Sequence, residues 1–273
     1  MKKHNIVTGI IFIVVLAGFV SCKRDFALKD PTSTTTGTAM LRIIDASPNF
    51  RNIFGLADSF NVFVNGSKIT GYTPGTSVVM TYNNNFPTAS SGFGYVSVPA
   101  GTQPIKLSVA GVVNPDSLPI QTFTKTLLAD KMYTLLITDS INSTRDSSQM
   151  FVQDSYQQPT VGYYNFRFIH AVWNDTVGKT IDLWSTRTNR YLATGIKPGA
   201  ITGFGQLPFN ATYTDTLIIR RSVTGFPLDT LPTINYINQR TYTVYYKGDG
   251  NIRYDLKSAG PLKARHMAIY VHQ

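Results

Sequence analysis

Cys22 is the only thiol in the 273-residue chain, so it has no disulfide partner, and an unpaired cysteine in an exported protein needs a reason of its own. The residues before it say that the chain is exported. Lys2 and Lys3 give a basic start, Ile6 to Val20 is an apolar run, and the small Ser21 stands directly before the cysteine. That run is shorter than the ~20 apolar residues that cross a bilayer, and the three parts together read as a cleaved export signal. Other chemistry is sparse. The sequence holds no H-E-x-x-H, no G-x-S-x-G and no phosphate-cradling G-x-x-x-x-G-K. Of four histidines, His4 lies in the leader, and His170, His266 and His272 are scattered, so no metal site is expected. The fifteen acidic residues are all Asp. Asp116, Asp139, Asp229 and Asp249 follow or flank prolines, glycines and strand ends, where an Asp side chain caps a turn. Two Asp carboxylates that meet in a cleft could still hydrolyse a glycosidic bond, but only the fold decides that distance. The expectation is no enzyme and no cofactor.

The segment Leu16-Ala17-Gly18-Phe19-Val20-Ser21-Cys22 resembles a bacterial lipobox, with Phe19 where Leu is usual. The resemblance implies cleavage between Ser21 and Cys22, a diacylglyceryl thioether on Cys22 and an acylated amino terminus. Several acyl chains anchor firmly where one holds only marginally. Residues 1–21 are then a lipoprotein signal peptide, and residues 22–38, rich in Thr, Ser and Lys with Pro31 and Gly37, are a flexible tether. A coil of that length reaches about 20 Å. Lys23 rather than Asp after the cysteine favours, by analogy, the outer membrane as the location in the cell envelope, with the face left open.

Removing Lys2 and Lys3 from a formal charge of +10 leaves +8 on the mature chain. Nucleic acid is no expected partner for an exported protein, which leaves the membrane through the lipid anchor, polysaccharide or an envelope protein. The basic residues are scattered, so solvated surface charge is the better explanation of them.

The absence of Glu and the abundance of Thr, Tyr, Phe, Val and Ile favour pleated sheet over helix. Alternating runs recur at Met40–Ile44, Phe60–Val64, Ser77–Tyr82, Tyr95–Val98, Ile105–Val109, Gln121–Leu127 and Tyr133–Thr138. A second series runs through Tyr164–His170, Ile181–Trp184, Tyr191–Thr194, Ile201–Phe204, Thr216–Arg220, Tyr242–Tyr246 and Met267–Val271. Leu41-Arg42-Ile43-Ile44-Asp45-Ala46 aligns with Phe166-Arg167-Phe168-Ile169-His170-Ala171, and Lys131-Met132-Tyr133 with Arg240-Thr241-Tyr242. An internal duplication follows. The fold class expected is all-β, with two tandem β-sandwich domains at 39–154 and 163–273, joined by a linker at 155–162. Asn65-Gly66 is the clearest hairpin turn, since both residues tolerate positive φ.

In the first half, Leu41-Arg42-Ile43-Ile44-Asp45-Ala46-Ser47-Pro48 resembles the opening R-V-x-H-A-S-P of the domain-of-unknown-function family 4397. Phe60-Asn61-Val62-Phe63-Val64-Asn65-Gly66, Val98-Pro99-Ala100-Gly101 and Leu128-Ala129-Asp130-Lys131-Met132-Tyr133-Thr134 match its later segments in order. The resemblance implies an exported immunoglobulin-like sandwich and no known reaction.

Among the aromatics, Trp173 follows a strand and is the surface candidate for stacking on a ligand, whereas Trp184, inside an alternating run, reads as core. The Tyr245-Tyr246 pair is a further candidate for stacking on sugars. Five triplets beginning at Asp116, Asp139, Asp175, Asp215 and Asp229 resemble an Asp-Ser/Thr-apolar site of bacterial O-glycosylation, with Ser117, Ser140, Thr176, Thr216 and Thr230 as acceptors. An Asp before a β-former also marks a turn entering a strand, and both readings stand. The function expected is a non-catalytic surface protein that binds or scaffolds, the alternatives being a glycan-capturing accessory, a glycoside hydrolase or an adhesin stalk. Cys22→Ala should move the protein from the membrane to the soluble fraction. Mass spectrometry of the parent's amino terminus should find Cys22 first and acylated, and an unmodified terminus at Lys23 or beyond contradicts the anchor.

Overall fold

The computed structural model describes residues 37–48, 59–70, 72–73, 76–77, 80–82, 84–87, 94–109, 119–139, 149–175, 180–250 and 265–272. The leader, Ser21, Cys22, the tether up to residue 36, and the acceptors Ser117, Ser140 and Thr176 lie outside the described residues.

Every element is a strand. The first half forms β1 (Thr38–Asp45), β2 (Phe60–Val64), β3 (Ser67–Lys68), β4 (Tyr72–Thr73), β5 (Thr76–Ser77), β6 (Asn85–Phe86), β7 (Val96–Pro99), β8 (Gly101–Val109), β9 (Pro119–Leu127), β10 (Met132–Ile137) and β11 (Met150–Gln153). The second forms β12 (Tyr163–His170), β13 (Ile181–Ser185), β14 (Arg190–Ile196), β15 (Gly205–Pro208), β16 (Asp215–Arg221), β17 (Pro227–Ile234), β18 (Thr241–Lys247) and β19 (His266–Val271).

Two sheets in each half face one another. The first half pairs the sheet β11-β10-β1, to whose edge both β6 and β7 add, with the sheet β3-β2-β8-β9. The second half repeats this plan with β19-β18-β12-β15 and β14-β13-β16-β17. Register repeats too. Leu41 pairs with Tyr133 in the parallel β1–β10 ladder, and Phe166 with Tyr242 in the parallel β12–β18 ladder. Each of those tyrosines turns its hydroxyl back on the preceding corner, accepting the amide of Leu128 (3.0 Å) or Ile237 (2.8 Å). Three residues before each tyrosine the backbone is left-handed, at Asp130 (φ 61°) and Gln239 (φ 59°). The Asn65-Gly66 turn has φ of 49° and 78° and joins β2 to β3 as a two-residue hairpin.

Alternation along each strand sends one set of side chains into its own sandwich. Leu41, Ile43, Val62, Phe123 and Leu135 fill the first core, and Phe168, Leu183, Leu217, Val244 and Tyr246 the second. The opposite faces of β1, β10, β12 and β18 are buried as well, so burial is nearly continuous along these strands even where Arg42, Thr134, Asn165, Arg167 and Thr243 interrupt the apolar residues. Ile44, Ala46, Leu136 and Val152 meet Ile169, Ala171, Tyr245 and Tyr270 in a third cluster between the halves. The chain from 34 to 273 is accordingly one unit, with four stacked sheets and a separate β4-β5 ribbon among its described residues. Within the joining stretch, Pro159 is buried and the Gln157 carbonyl accepts Asn165 Nδ2 at 2.7 Å.

Polar groups cross this third layer only because they satisfy one another. Arg167 Nη2 donates to Asp154 Oδ1 (2.5 Å), and Arg167 Nε to Thr243 Oγ1 (3.1 Å). Tyr95 spends its one proton on Asp154 Oδ2 (2.9 Å), so at the 2.5 Å contact His272 Nδ1 must be the donor and Tyr95 the acceptor. His272 Nε2 is then the acceptor for Thr243 Oγ1 at 2.7 Å. The bonds close into a ring, Arg167 to Thr243 to His272 to Tyr95 to Asp154 and back, with Thr134 Oγ1 donating to Asp154 from outside it (2.5 Å). Arg42, the counterpart of Arg167, lies between the rings of Tyr95 (4.6 Å) and Tyr270 (4.2 Å) and donates to the carbonyls of Gly94 and Val271. A methyl group at Gly94 would run into the Arg42 guanidinium.

Removing Asp154 leaves Arg167 buried and uncompensated, a loss of about 3–5 kcal/mol. Asp154→Ala should lower the denaturant midpoint accordingly, and adding Arg167→Met should restore part of it. Burial, with Arg42 and Arg167 nearby, holds the His272 imidazole well below the ordinary histidine range. The unfolded chain therefore binds the His272 proton first as pH falls. Stability from this group is full above the unfolded pKa of about 6.5 and declines below it, by up to about 1.4 kcal/mol per pH unit. Urea midpoints from pH 7.5 to pH 5 should show this slope, and His272→Gln should flatten it.

Candidate functional site

Ser185 ends β13 with its hydroxyl pointing inward, and the turn that follows is built around Asp215, the buried first residue of β16. Asp215 Oδ2 accepts Ser185 Oγ (2.8 Å), and Oδ1 accepts the Arg187 amide (3.0 Å) and, more weakly, Thr186 Oγ1 (3.4 Å). Ser185 Oγ in turn accepts the Thr188 amide (3.2 Å), and Asn189 takes the left-handed backbone (φ 50°) that brings the chain back into β14. This one carboxylate holds a four-residue turn in place.

A second wall rises where β15 ends. From Pro208 the chain passes through Phe209, which packs on the core, to Thr212, whose amide donates to Asn210 Oδ1 (2.9 Å). Arg187 ties the walls together. Its Nη2 donates to the Pro208 carbonyl (2.6 Å) while its guanidinium lies 5.7 Å from the Tyr164 ring. Between the walls is a cavity of about 800 Å3, lined by Thr186, Arg187, Thr188 and Arg190 on one side and by Pro208, Phe209, Asn210, Tyr213 and Thr214 on the other. That volume suits a ligand of several rings. Tyr213 is 63% exposed and offers its ring face to solvent. The lining supplies two guanidiniums, hydroxyls, a carboxamide and two aromatic rings, and none of the nine residues is an acid, a histidine or a cysteine. It can bind by stacking and hydrogen bonds, but it offers no general acid and base of its own.

Trp184 departs from the core position expected of it. Ile181, Leu183 and Ser185 point inward, so strand alternation places Trp184 on the outer face of its sheet, where it is half-buried. There it meets Tyr191 edge to face (centroids 4.8 Å) with the Arg220 guanidinium 6.0 Å away. Trp173 is 41% exposed in the turn after β12, with its ring against Gly199 and apart from the cavity lining. Tyr245 and Tyr246 are buried, one in the layer between the halves and one in the second core, and neither is open to stacking. Thr216 is half-buried on β16, its amide bonded to Thr186 Oγ1 (3.1 Å), and Thr230 is exposed on β17 opposite Ile218. Asp229, read as a turn residue, instead lies within β17, where its Oδ2 accepts the Met267 amide (2.6 Å).

The histidines do not converge. His170 is buried 3.5 Å from Asp175, which also takes Arg265 Nη1 (2.7 Å), His266 lies edge-on to Tyr82 (6.2 Å), and His272 belongs to the ring between the halves. Among the described residues no group of three or more His, Cys, Asp or Glu could hold a metal ion. Sequence reasoning did not single out the buried Lys247, which lies 5.3 Å from the Tyr82 ring and 5.4 Å from that of Tyr245. Burial lowers its pKa to about 8, with Asp45 acting in the opposite direction. The cavity was missed as well, because its walls are separated in sequence and are brought together by the fold, through Asp215, Arg187 and the Thr186–Thr216 bonds.

Residues 39–176, half of the chain, match the family described as Domain of unknown function (DUF4397). No curated protein matches. Among solved structures, a family 26 carbohydrate-binding module of Amy13K from Eubacterium rectale, in complex with maltoheptaose, is 12% identical over 85% of this chain and 96% of its own, with a TM-score of 0.22. A protein described as a cell-adhesion protein from Parabacteroides distasonis is 10% identical over 85% of this chain and 96% of its own, with a TM-score of 0.21. Likenesses at these TM-scores carry no argument about what this chain does.

Proposed function

This chain belongs to the DUF4397 family, and from that premise we propose that it is a non-catalytic glycan-binding lipoprotein of the cell envelope, tethered through Cys22. The observation that carries the reading is the cavity beside the β13–β14 turn. Rings that stack on the C–H faces of sugars, together with hydroxyl, carboxamide and guanidinium donors for their oxygens, are what glycan recognition requires. The absence of an acid or a histidine from its lining favours capture over hydrolysis. Lipidation of the sole cysteine and the outer-membrane location are supported by the lipobox-like leader and by Lys23 after the cysteine. Two immunoglobulin-like domains are supported by the repeated strand plan and by the two tyrosines that fold back on their corners.

The test is binding of soluble Cys22→Ala protein to arrayed polysaccharides, followed by titration calorimetry on those retained. Tyr213→Ala should weaken binding about tenfold, about 1.4 kcal/mol, by removing the open stacking face. Trp173→Ala, which alters an exposed ring elsewhere, should leave it unchanged. Retention of no polysaccharide by the parent protein contradicts the reading.

A further inference from the structure

We propose that the ligand is an acidic polysaccharide, held as a chain across two stations that meet on β14: the cavity, and the Trp184–Tyr191–Arg220 face beside it. The proposal rests on the glycan-binding reading and specifies the charge and length of the ligand.

The charge follows from the balance at the cavity wall. Of the enclosed guanidiniums, those of Arg167 and Arg265 have an Asp carboxylate within 2.7 Å, and that of Arg42 is held by two carbonyls between two aromatic rings. Arg187 and Arg190 in the cavity and Arg220 on the outer face have none within ion-pair distance among the described residues. The nearby acids are already engaged. Asp215 hydrogen-bonds the turn beneath the cavity, which leaves one carboxylate against two guanidiniums, and Asp182, opposite Arg220, accepts the Gly195 amide and Ser222 Oγ, both at 2.7 Å. Arg187 is held in place by the Pro208 carbonyl, so its charge is fixed at the cavity wall before any ligand arrives. A wall with two guanidiniums and no acid in its lining selects for carboxylate or sulfate on the sugar.

The length follows from strand geometry. Arg190 lines the cavity and opposes Ser185, and Tyr191, the next residue, opposes Trp184 on the outer face. Successive side chains of a strand point to opposite faces, so the two stations lie on the two sides of β14, one strand's thickness apart. Among the described residues β14 is the edge strand of its sheet, and Tyr191 is 45% exposed. A polymer seated between Arg187 and Tyr213 can therefore continue around this edge and lay a further ring on the Trp184–Tyr191 pair.

The soluble protein is titrated with acidic polymers (polygalacturonate, alginate, heparin) and neutral ones (dextran, amylose, xylan), each also as short oligomers. Acidic polymers should bind, and more weakly by about tenfold or more as salt rises from about 50 to about 500 mM. Arg190→Gln should weaken polymers and oligomers alike. Trp184→Ala should weaken polymers about tenfold and leave trisaccharide-sized oligomers unchanged, with thermal midpoints showing that both variants remain folded. Neutral polymers bound as tightly and without salt dependence overturn the assignment of charge, and Trp184→Ala acting equally on long and short ligands, or on neither, overturns the second station. Both results leave the glycan-binding reading in place. If nothing in either set binds, that reading falls and this proposal with it.

Discussion

A closed circuit of hydrogen bonds, Arg167–Thr243–His272–Tyr95–Asp154, governs how the two halves of this protein coexist. Two sheets that each already cover a core turn their other faces on one another, and those faces carry two guanidiniums, a carboxylate and an imidazole out of water. Such groups are tolerated when nearly every proton finds an acceptor, and Arg42 Nη1, which has none, lies in a guanidinium held between the Tyr95 and Tyr270 rings. The circuit satisfies the condition with one proton per hydroxyl and a neutral imidazole, and the apolar contacts of Ile44, Leu136, Ile169 and Tyr245 close around it.

The circuit exists because the halves are alike in plan and unlike in detail. Strand order and register repeat between the halves, so each position in one has a counterpart in the other. Asp154 bonds the backbone of Met132 at the end of one ladder, and His272 that of Thr241 at the end of the other. One supplies the acceptor for Arg167 and the other joins Thr243 to Tyr95. Neither half alone holds the full set. A pair of identical halves would bring two carboxylates or two imidazoles to the same place, and the proton count would not close.

Local patterns carried most of the fold. The runs at Phe60–Val64, Ile181–Trp184 and Tyr242–Tyr246 all became strands, because alternation or continuous burial is written directly into residue types. The strand at Pro227–Ile234 was hidden by Pro227 and Pro232, which are tolerated because β17 is an edge. Tyr95–Val98 begins one residue before β7, whereas Ile201–Phe204 precedes β15 altogether, with only Ile201 bridging Ile169 and the Phe204 ring under the Arg167 guanidinium. Trp184 shows the limit of composition as a guide. Size and apolarity argued for the core, while the parity of the strand, set by Ile181 and Leu183, put it outside. The candidate site was the least legible part. Asp215 stands thirty residues from Ser185, and only the fold makes them partners.

The prolines at the sheet margins bear on how copies of the protein behave toward one another. Pro119 begins β9, and Pro227 and Pro232 interrupt β17, each on the outermost strand of a four-stranded sheet. A margin that lacks amide donors at intervals is a poor template for a strand from a neighbour. A margin able to pair would turn encounters between copies into fibres. Interrupted margins leave each molecule able to crowd without coalescing.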